Sequence, residues 1–479
     1  MHFEETPRDL DKSAEGGPWH RELTKYHWFV LIVAALGWLF DTMDQQLFNL
    51  ARRPAMVELL GKPKTEVDAM PAEAKASYTA QLNKDVAFYS GVSTTVFMVG
   101  WALGGIAFGV LGDKIGRAKT MMITILFYSI FTGLSALAFD FWSFSLLRLL
   151  TGLGVGGEFA VGVALVAEVM PDRARPYALG RLQALSAVGN MTAAVIAMVL
   201  GKFEETGAIG SAWRIMFIVG TLPALLAIII RRNLKEPERW QAAAAGDTKS
   251  AGSIREMFAH PVWRKHTIVG MLLAFSGVVG LWGIGFFSFD LMRVVFTPYY
   301  KEQGLSDDQI RGALTILTGL GSFAQNLGGF FGVEAFTKFT QKTGRRLAFA
   351  VSFPLAMVAT AFTFLFLGKF LGTWDVFWML PIMGFCQLTL FGGYAIYLPE
   401  LYPTRLRSTG TSFCYNVGRL VAAVGPLTLG SLAASLQAGY PTGDATPFRY
   451  AGLIMCSVFV IGLLVLPFAP ETKGRPLPE

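Results

Sequence analysis

The sequence predicts an all-α polytopic membrane protein whose twelve transmembrane helices form two pseudo-symmetric six-helix halves. Three observations predict it. Hydrophobic residues make up 53% of the 479 and charged residues only 16%, and the mean hydropathy is +0.46, values that exclude an ordinary soluble enzyme. Apolar windows of about 20 residues, the length a helix needs to cross the hydrocarbon core, recur along the chain. Landmarks in the polar turns between these windows repeat at nearly one offset, which divides the chain in two.

Taken in order, residues 1–26 are polar and precede an apolar run long enough to stay in the membrane. They read as a cytoplasmic tail and not as a cleavable signal peptide. The first half, 27–231, holds spans at 27–51, 87–110, 119–139, 142–167, 177–201 and 212–231. Between its first two spans, residues 52–85 are mixed in charge and contain Pro54, Pro63 and Pro71, so they read as an extended outer loop that either caps the mouth or merely connects. The polar stretch 232–264 reads as a cytoplasmic linker with one short amphipathic helix around Ser253 to Ala259. The second half, 265–469, holds spans at 265–298, 310–336, 346–369, 374–399, 408–436 and 447–469, and a cytoplasmic tail, 470–479, follows. Lys and Arg concentrate on the tail side of this layout, the positive-inside bias that puts both termini in the cytoplasm of a cell-membrane protein. The net charge of +7 then reflects topology, and no nucleic-acid partner is expected. Cys386, Cys414 and Cys456 all fall within spans and read as packing residues.

The repeat rests on three pairs of landmarks. Gly116-Arg117 matches Gly344-Arg345 at an offset of 228, and Glu168, Pro171, Arg173 and Arg175 match Glu400, Pro403, Arg405 and Arg407 at 232. Pro237-Glu238 matches Pro470-Glu471 at 233. Parallel six-helix repeats of this kind are the layout of transporters that rock about a central site near the bilayer midplane.

The run G-V-L-G-D-K-I-G-R-A-K from Gly109 to Lys119, between spans 2 and 3, is similar to the signature of the major facilitator superfamily, and the likeness extends over essentially the whole chain. Its second copy has decayed, with Gln341 where an acid is expected, which implies an asymmetric cytoplasmic gate. The run R-L-L-T-G-L-G-V-G-G-E from Arg148 to Glu158, the two E-x-x-P-x-R-x-R ends and P-E-T-K-G-R from Pro470 resemble the branch of sugar porters, organic-ion carriers and metabolite or aromatic-acid proton symporters. Span 7 lacks a sugar porter's paired glutamines, and Y-N-V-G-R from Tyr415 to Arg419 looks more like the acid symporters. The resemblance implies a secondary carrier working by alternating access, with a carboxylate as substrate. It further implies that Gly109, Asp113, Gly116, Arg117, Glu168 and Arg175, with Glu400 and Arg407 as their repeats, form a cytoplasmic gate in which Asp113 meets the start of span 11 near Thr409 and Gly410. Physically, glycine lets backbones approach, and an anion suits a helix N-terminus. The basic members alone would be explained by topology; Asp113 and Glu168 would not. The glycines at 152, 154, 156 and 157 read mainly as packing devices.

Ionisable side chains inside spans cost on the order of 2.5 to 3.5 kcal/mol each on insertion scales, so each needs a reason. Asp41 and Asp44, three apart on span 1, share a face. Two carboxylates so close cannot both ionise cheaply away from water, which suits proton coupling; the alternative is an ion pair with Arg148. Arg148 offers a fork for Asp41, Asp44 or Glu158, and with Glu158 completes the candidate coupling set. No histidine lies deep in a span, leaving carboxylates as proton carriers. Arg419, with Asn416 and Tyr415 on its face, is the candidate contact for a substrate anion, the alternative being a pair with an acid from another helix. Trp282, Phe286, Phe287, Gln325, Asn326, Gln387 and Tyr394 are candidates to line a central cavity, although aromatic residues in membrane helices are more often packing. Asp290 and Arg293 read as a pair with each other, and Glu334 as reaching the membrane interface.

The reading is a proton-coupled importer of a small organic acid, monomeric and embedded in the bilayer, with no cofactor or metal. No G-x-x-x-x-G-K-[ST] loop supplies ATP drive, and no nucleophile constellation suggests an enzyme. The rivals are a sugar or polyol carrier, an exporter of organic cations, and a sensor that binds a solute without moving it.

Overall fold

A computed structural model describes residues 18–206, 208–245, 251–282, 284–422, 432–433, 435–437, 439–441 and 444–479. The first half contains α1 (Lys25–Leu60), α2 (Ala72–Ile115), α3 (Arg117–Ser135), α4 (Phe141–Val169), α5 (Arg175–Glu205) and α6, which is split at Pro223 into Ala212–Val219 and Ala224–Asn233. The second contains α7 (Pro261–Trp282, then Ser288–Glu302), α8 (Asp307–Thr343), α9 (Arg345–Phe366), α10 (Val376–Glu400), α11 (Arg407–Ala422) and α12 (Thr446–Met455, then Val458–Val465). Ten of these are long and apolar enough to cross a membrane; α8 falls short on composition and α11 on described length. Residues 423–431 and 434 of the expected span 408–436 lie outside the described residues.

Two expectations need correcting. The segment 52–85 is not an extended loop, because α1 continues to Leu60, Lys64–Asp68 forms a short helix and α2 begins at Ala72. Pro54 lies inside α1, and Pro63 and Pro71 each sit immediately before a helix, where the missing N–H costs nothing. At 44 residues, α2 is roughly 66 Å long, so this helical hairpin projects well past a hydrocarbon core of about 30 Å. Glu58 ties it to the start of α6, accepting from Ser211 (2.8 Å), Trp213 Nε1 (2.7 Å) and Arg214 Nε (3.0 Å). Span 265–298 is likewise not one helix: α7 breaks, and a 3-10 turn at Gly285–Phe287 separates its pieces.

Inside each half, close backbone approach does the packing. A Cβ on Gly152 or Gly156 would meet the α2 backbone at Phe97 and Trp101, and one on Gly328 or Gly332 would meet the α10 backbone at Pro381 and Phe385. With no hydrophobic force between helices in lipid, such contacts supply the dispersion energy that holds α2 to α4 and α8 to α10. Across the halves α2 packs on α11 and α5 on α8.

The repeat is visible in atomic detail at one end of the bundle. Gly116 and Gly344 have φ of 112° and 96°, backbone that side chains other than glycine rarely adopt, and each turns the chain directly into the next helix. A glutamate then caps that helix: Glu236 accepts from the N–H of Ala118 (3.1 Å) and Lys119 (3.0 Å), and Glu471 from those of Arg345 (2.9 Å) and Arg346 (3.1 Å). The equivalent of Glu471 is therefore Glu236, not Glu238, which begins the linker helix Glu238–Ala245. Partial burial opposes charge on Glu471, but three backbone N–H groups and the Arg345 guanidinium outweigh it and hold the carboxyl below its ordinary range. Glu236→Ala is expected to lower the melting temperature in detergent by several degrees and Glu238→Ala to leave it unchanged, measured by tryptophan fluorescence. The linker's second helix forms at Ile254–Ala259, where Ser253 accepts from the Glu256 N–H at 3.2 Å.

Candidate functional site

At this same end, polar groups of the two halves interlock. Asp113, in the last turn of α2, is 2% exposed and sits at the N-terminus of α11. It accepts from the Ser408 N–H (3.1 Å), the Thr409 N–H (2.8 Å) and the Thr409 hydroxyl (2.6 Å). Two features permit this approach: Gly109 leaves room for Ser412, and an anion complements the positive end of a helix. Arg117 pairs with Asp113 (3.0 Å) and Glu168 (2.8 Å) and crosses the seam to the Thr404 carbonyl (2.6 Å). Arg407 crosses the other way to Glu168 (2.8 Å). One carboxylate thus holds two guanidiniums, and all three side chains are fully buried. Among the described residues no such cap forms at the repeated position, where the Gln341 amide nitrogen has no partner.

Arg175 does not join the cluster, contrary to the sequence-based expectation. Its side chain folds back on the Ala167 carbonyl (2.8 Å) and on Asp172. Arg407 makes the same return contact, to the Pro399 carbonyl (3.2 Å), but has a second arm free to cross. Glu400 stays within its own half, bound to Arg345 (2.9 Å) and Thr472 (2.6 Å).

Between the halves lies a cavity of about 60 Å³. Of the residues expected there, Trp282, Gln325, Asn326, Tyr415 and Arg419 line it. Gln387, Tyr394 and Asn416 do not. Gln387 donates to Thr360 (2.8 Å) and Tyr394 to the Leu273 carbonyl (2.7 Å), both inside the second half, and Asn416 faces Ser412. Phe287 is not among the lining residues either, and the Phe286 side chain is outside the described residues. The guanidinium carbon of Arg419 lies 3.8 Å from the Trp101 ring centroid and 4.2 Å from that of Tyr415, a cation between two π faces. Its Nη1 donates to Asn416 Oδ1 at 2.9 Å. Arg419 is the one charged residue among the described lining residues.

Charge-based reading missed the wall contributed by the first half: Trp38, Gln45, Gln46, Trp101, Gln183 and Asn190. The signal was present, since neutral amides inside spans need a partner just as charges do. Asn190 donates to Asn326 Oδ1 across the seam at 2.9 Å.

Asp41, Asp44 and Glu158 do not line the cavity; they are packed behind it within the first half and are at most 1% exposed. The residues Trp38, Thr42 and Gln45 (i, i+4, i+7) take the cavity face of α1, which turns the two aspartates toward α3 and α4. Glu158 accepts from Thr124 at 3.0 Å, and no oxygen of Asp41 or Asp44 has a hydrogen bond of good geometry. Neither aspartate forms an ion pair with Arg148. That side chain is engaged instead by Ser135 (2.5 Å) and Thr151 (3.0 Å) and lies over the Phe217 ring at 4.4 Å, acting on Asp44 only through space. Arg419 acts on Asp41 in the same way. Asp290 and Arg293 likewise make no direct ion pair; the charge of Asp290 faces Arg52 and Arg53 of α1 as well as Arg293. Glu334 pairs with Arg181 of α5 at 2.5 Å rather than reaching solvent alone.

The Major Facilitator Superfamily family model matches residues 35–426. The chain is 29% identical to the probable 4-methylmuconolactone transporter of Cupriavidus pinatubonensis, covering 91% of this chain and 89% of that one. It is 28% identical to the cis,cis-muconate transport protein of Acinetobacter baylyi over 73% of this chain and 80% of that one. Among solved structures it is similar to the proton:xylose symporter XylE, with a TM-score of 0.67, 17% identity and coverage of 94% and 98%.

Proposed function

The chain belongs to the Major Facilitator Superfamily, and from that premise we propose a proton-coupled importer of a small organic carboxylate, with both termini cytoplasmic. It is a multi-pass membrane transporter of small organic solutes and not an enzyme. The observation that carries the finer reading is Arg419: a single guanidinium, buried between Trp101 and Tyr415, in a cavity whose described lining offers no carboxylate. A cation with no carboxylate beside it in the described lining selects an anion and disfavours the organic cations an exporter would carry.

The coupling step follows from the second set of charges. Of the three neighbouring buried carboxylates, Asp41, Asp44 and Glu158, only Asp44 has Arg148 to balance it, so the set holds more acids than that guanidinium can neutralise and calls for protons. Asp41 also faces Arg419 electrostatically. When Asp41 is charged it competes with substrate for Arg419; a proton arriving on Asp41 frees the guanidinium for the substrate carboxylate. Asp113, Arg117, Glu168 and Arg407 hold the cytoplasmic end shut until both are bound, and the halves then rock.

The test is uptake of labelled carboxylates and sugars into proteoliposomes, with and without an inwardly directed proton gradient. Gradient-stimulated carboxylate uptake is expected, and Asp41→Asn is expected to keep carboxylate exchange while losing the stimulation. A sugar carrier is the second reading, favoured by the amides Gln45, Gln46, Gln183, Asn190, Gln325 and Asn326 around the cavity. Sugar uptake indifferent to the gradient would establish it in place of the first.

A further inference from the structure

The cavity holds polar groups that the protein itself leaves unmet. The indole N–H groups of Trp38 and Trp101, the Nε–H of Arg419 and the side-chain amide nitrogen of Gln45 are buried without a hydrogen-bond partner, as is one acceptor, the Gln183 carbonyl oxygen. All five residues line the same cavity, and each is at most 6% exposed. The amides can present either polarity by rotating, but indole and guanidinium nitrogens only donate. The fixed complement of this cavity is therefore donors, and its occupant must bring acceptors. The fixed donors fall in two groups: Arg419, beside Trp101, carries charge, whereas Trp38, which the Gln45 amide two turns along α1 can join as a donor, does not.

We infer that Trp38 and Gln45 recognise a second, uncharged acceptor on the substrate, so that the cavity selects flat monocarboxylates bearing a neutral carbonyl-type oxygen remote from the carboxylate. The inference rests on the carboxylate reading above and adds to it a specificity. A dicarboxylate would satisfy the donors but bury a second negative charge where the described lining offers one cation. An acid without a remote acceptor would leave the α1 donors unmet, and a buried unmet donor is worth roughly tenfold in binding. Substrate held by Arg419 of α11 at one end and by α1 at the other would also join the two halves through the helix that carries Asp41 and Asp44.

The experiment measures dissociation constants on the purified full-length protein for 3- and 4-acetylbenzoate, the shape-matched 4-ethylbenzoate, and terephthalate. An acetylbenzoate is expected to bind about tenfold more tightly than 4-ethylbenzoate, with terephthalate weakest. Trp38→Phe, which keeps the ring and removes the N–H, and Gln45→Leu are each expected to bring that ratio toward one. Equal binding of both acetyl acids and 4-ethylbenzoate, or terephthalate binding as tightly as the acetyl acids, overturns the inference while leaving the carboxylate reading intact. Binding of sugars and of none of the four acids overturns both.

Discussion

Glu168→Gln is expected to open the end of the molecule that α2, α4 and α11 seal. The carboxylate accepts from Arg117 Nη2 and Arg407 Nη1, each at 2.8 Å, and the two guanidiniums come from opposite halves. Removing one partner from a buried ion pair costs about 3–5 kcal/mol, because the charge left behind has no solvent. Arg117 keeps Asp113 at 3.0 Å, so the lower end applies, about 3 kcal/mol or a factor of roughly 150 in the closed-to-open ratio. Arg407 keeps only the Pro399 and Pro478 carbonyls and the Thr404 hydroxyl. Glu400→Gln supplies the control, since Glu400 makes its hydrogen bonds and its ion pair with Arg345 and Thr472 of its own half and reaches the other half only through space, at Arg175. Spin labels on the exposed positions Lys119 and Lys342 would report the separation of the halves by pulsed dipolar spectroscopy. A long-distance population is expected in Glu168→Gln and not in Glu400→Gln; identical distributions in the two variants would show that the cluster is structural within each half and not a gate.

How far the sequence discloses this arrangement depends on the kind of residue. Asp113, Arg117 and Glu168 were legible because acids and bases at the ends of apolar spans stand out against them, and the half-chain repeat assigns each a counterpart. The repeat also misleads. It pairs Arg175 with Arg407, and the return contacts to Ala167 and Pro399 are indeed equivalent, yet only Arg407 reaches Glu168. Matching Pro237-Glu238 to Pro470-Glu471 aligned the prolines, whereas the capping role falls to Glu236, one residue before its proline. Hydropathy located most of the spans but not where α1 and α2 end, because a helix that leaves the membrane becomes polar without ceasing to be a helix. Which face of α1 meets the cavity was also out of reach. Asp41 and Asp44 draw the eye, but the cavity face belongs to Trp38, Thr42 and Gln45, and only the packing of α1 against α4 and α5 decides between the two.

Arg419→Ala is expected to weaken carboxylate binding by at least about 30-fold, since truncating one partner of a buried charge-assisted pair costs roughly 2–5 kcal/mol. The side chain is 1% exposed, so little solvent screens its charge, and the rings of Trp101 and Tyr415 fix its plane. That stacking makes Arg419→Lys informative. An ammonium restores the charge but neither the flat sandwich nor the fork, so affinity is expected between that of Ala and wild type. The two variants also separate binding from coupling. Arg419 is the cation facing Asp41 from the second half, so its loss removes the charge for which Asp41 and the substrate are proposed to compete. In Arg419→Ala the substrate contact is lost, whereas Asp41→Asn, which mimics the protonated acid, leaves Arg419 free for substrate. Isothermal titration of a carboxylate into each purified variant at pH 5.5 and 8 would read this directly. Wild-type affinity is expected to weaken as pH rises and Asp41 regains its charge, and Asp41→Asn affinity to be flat with pH. A pH-independent wild type, or Arg419→Ala binding as tightly as wild type, would break the proposed link between the two sites.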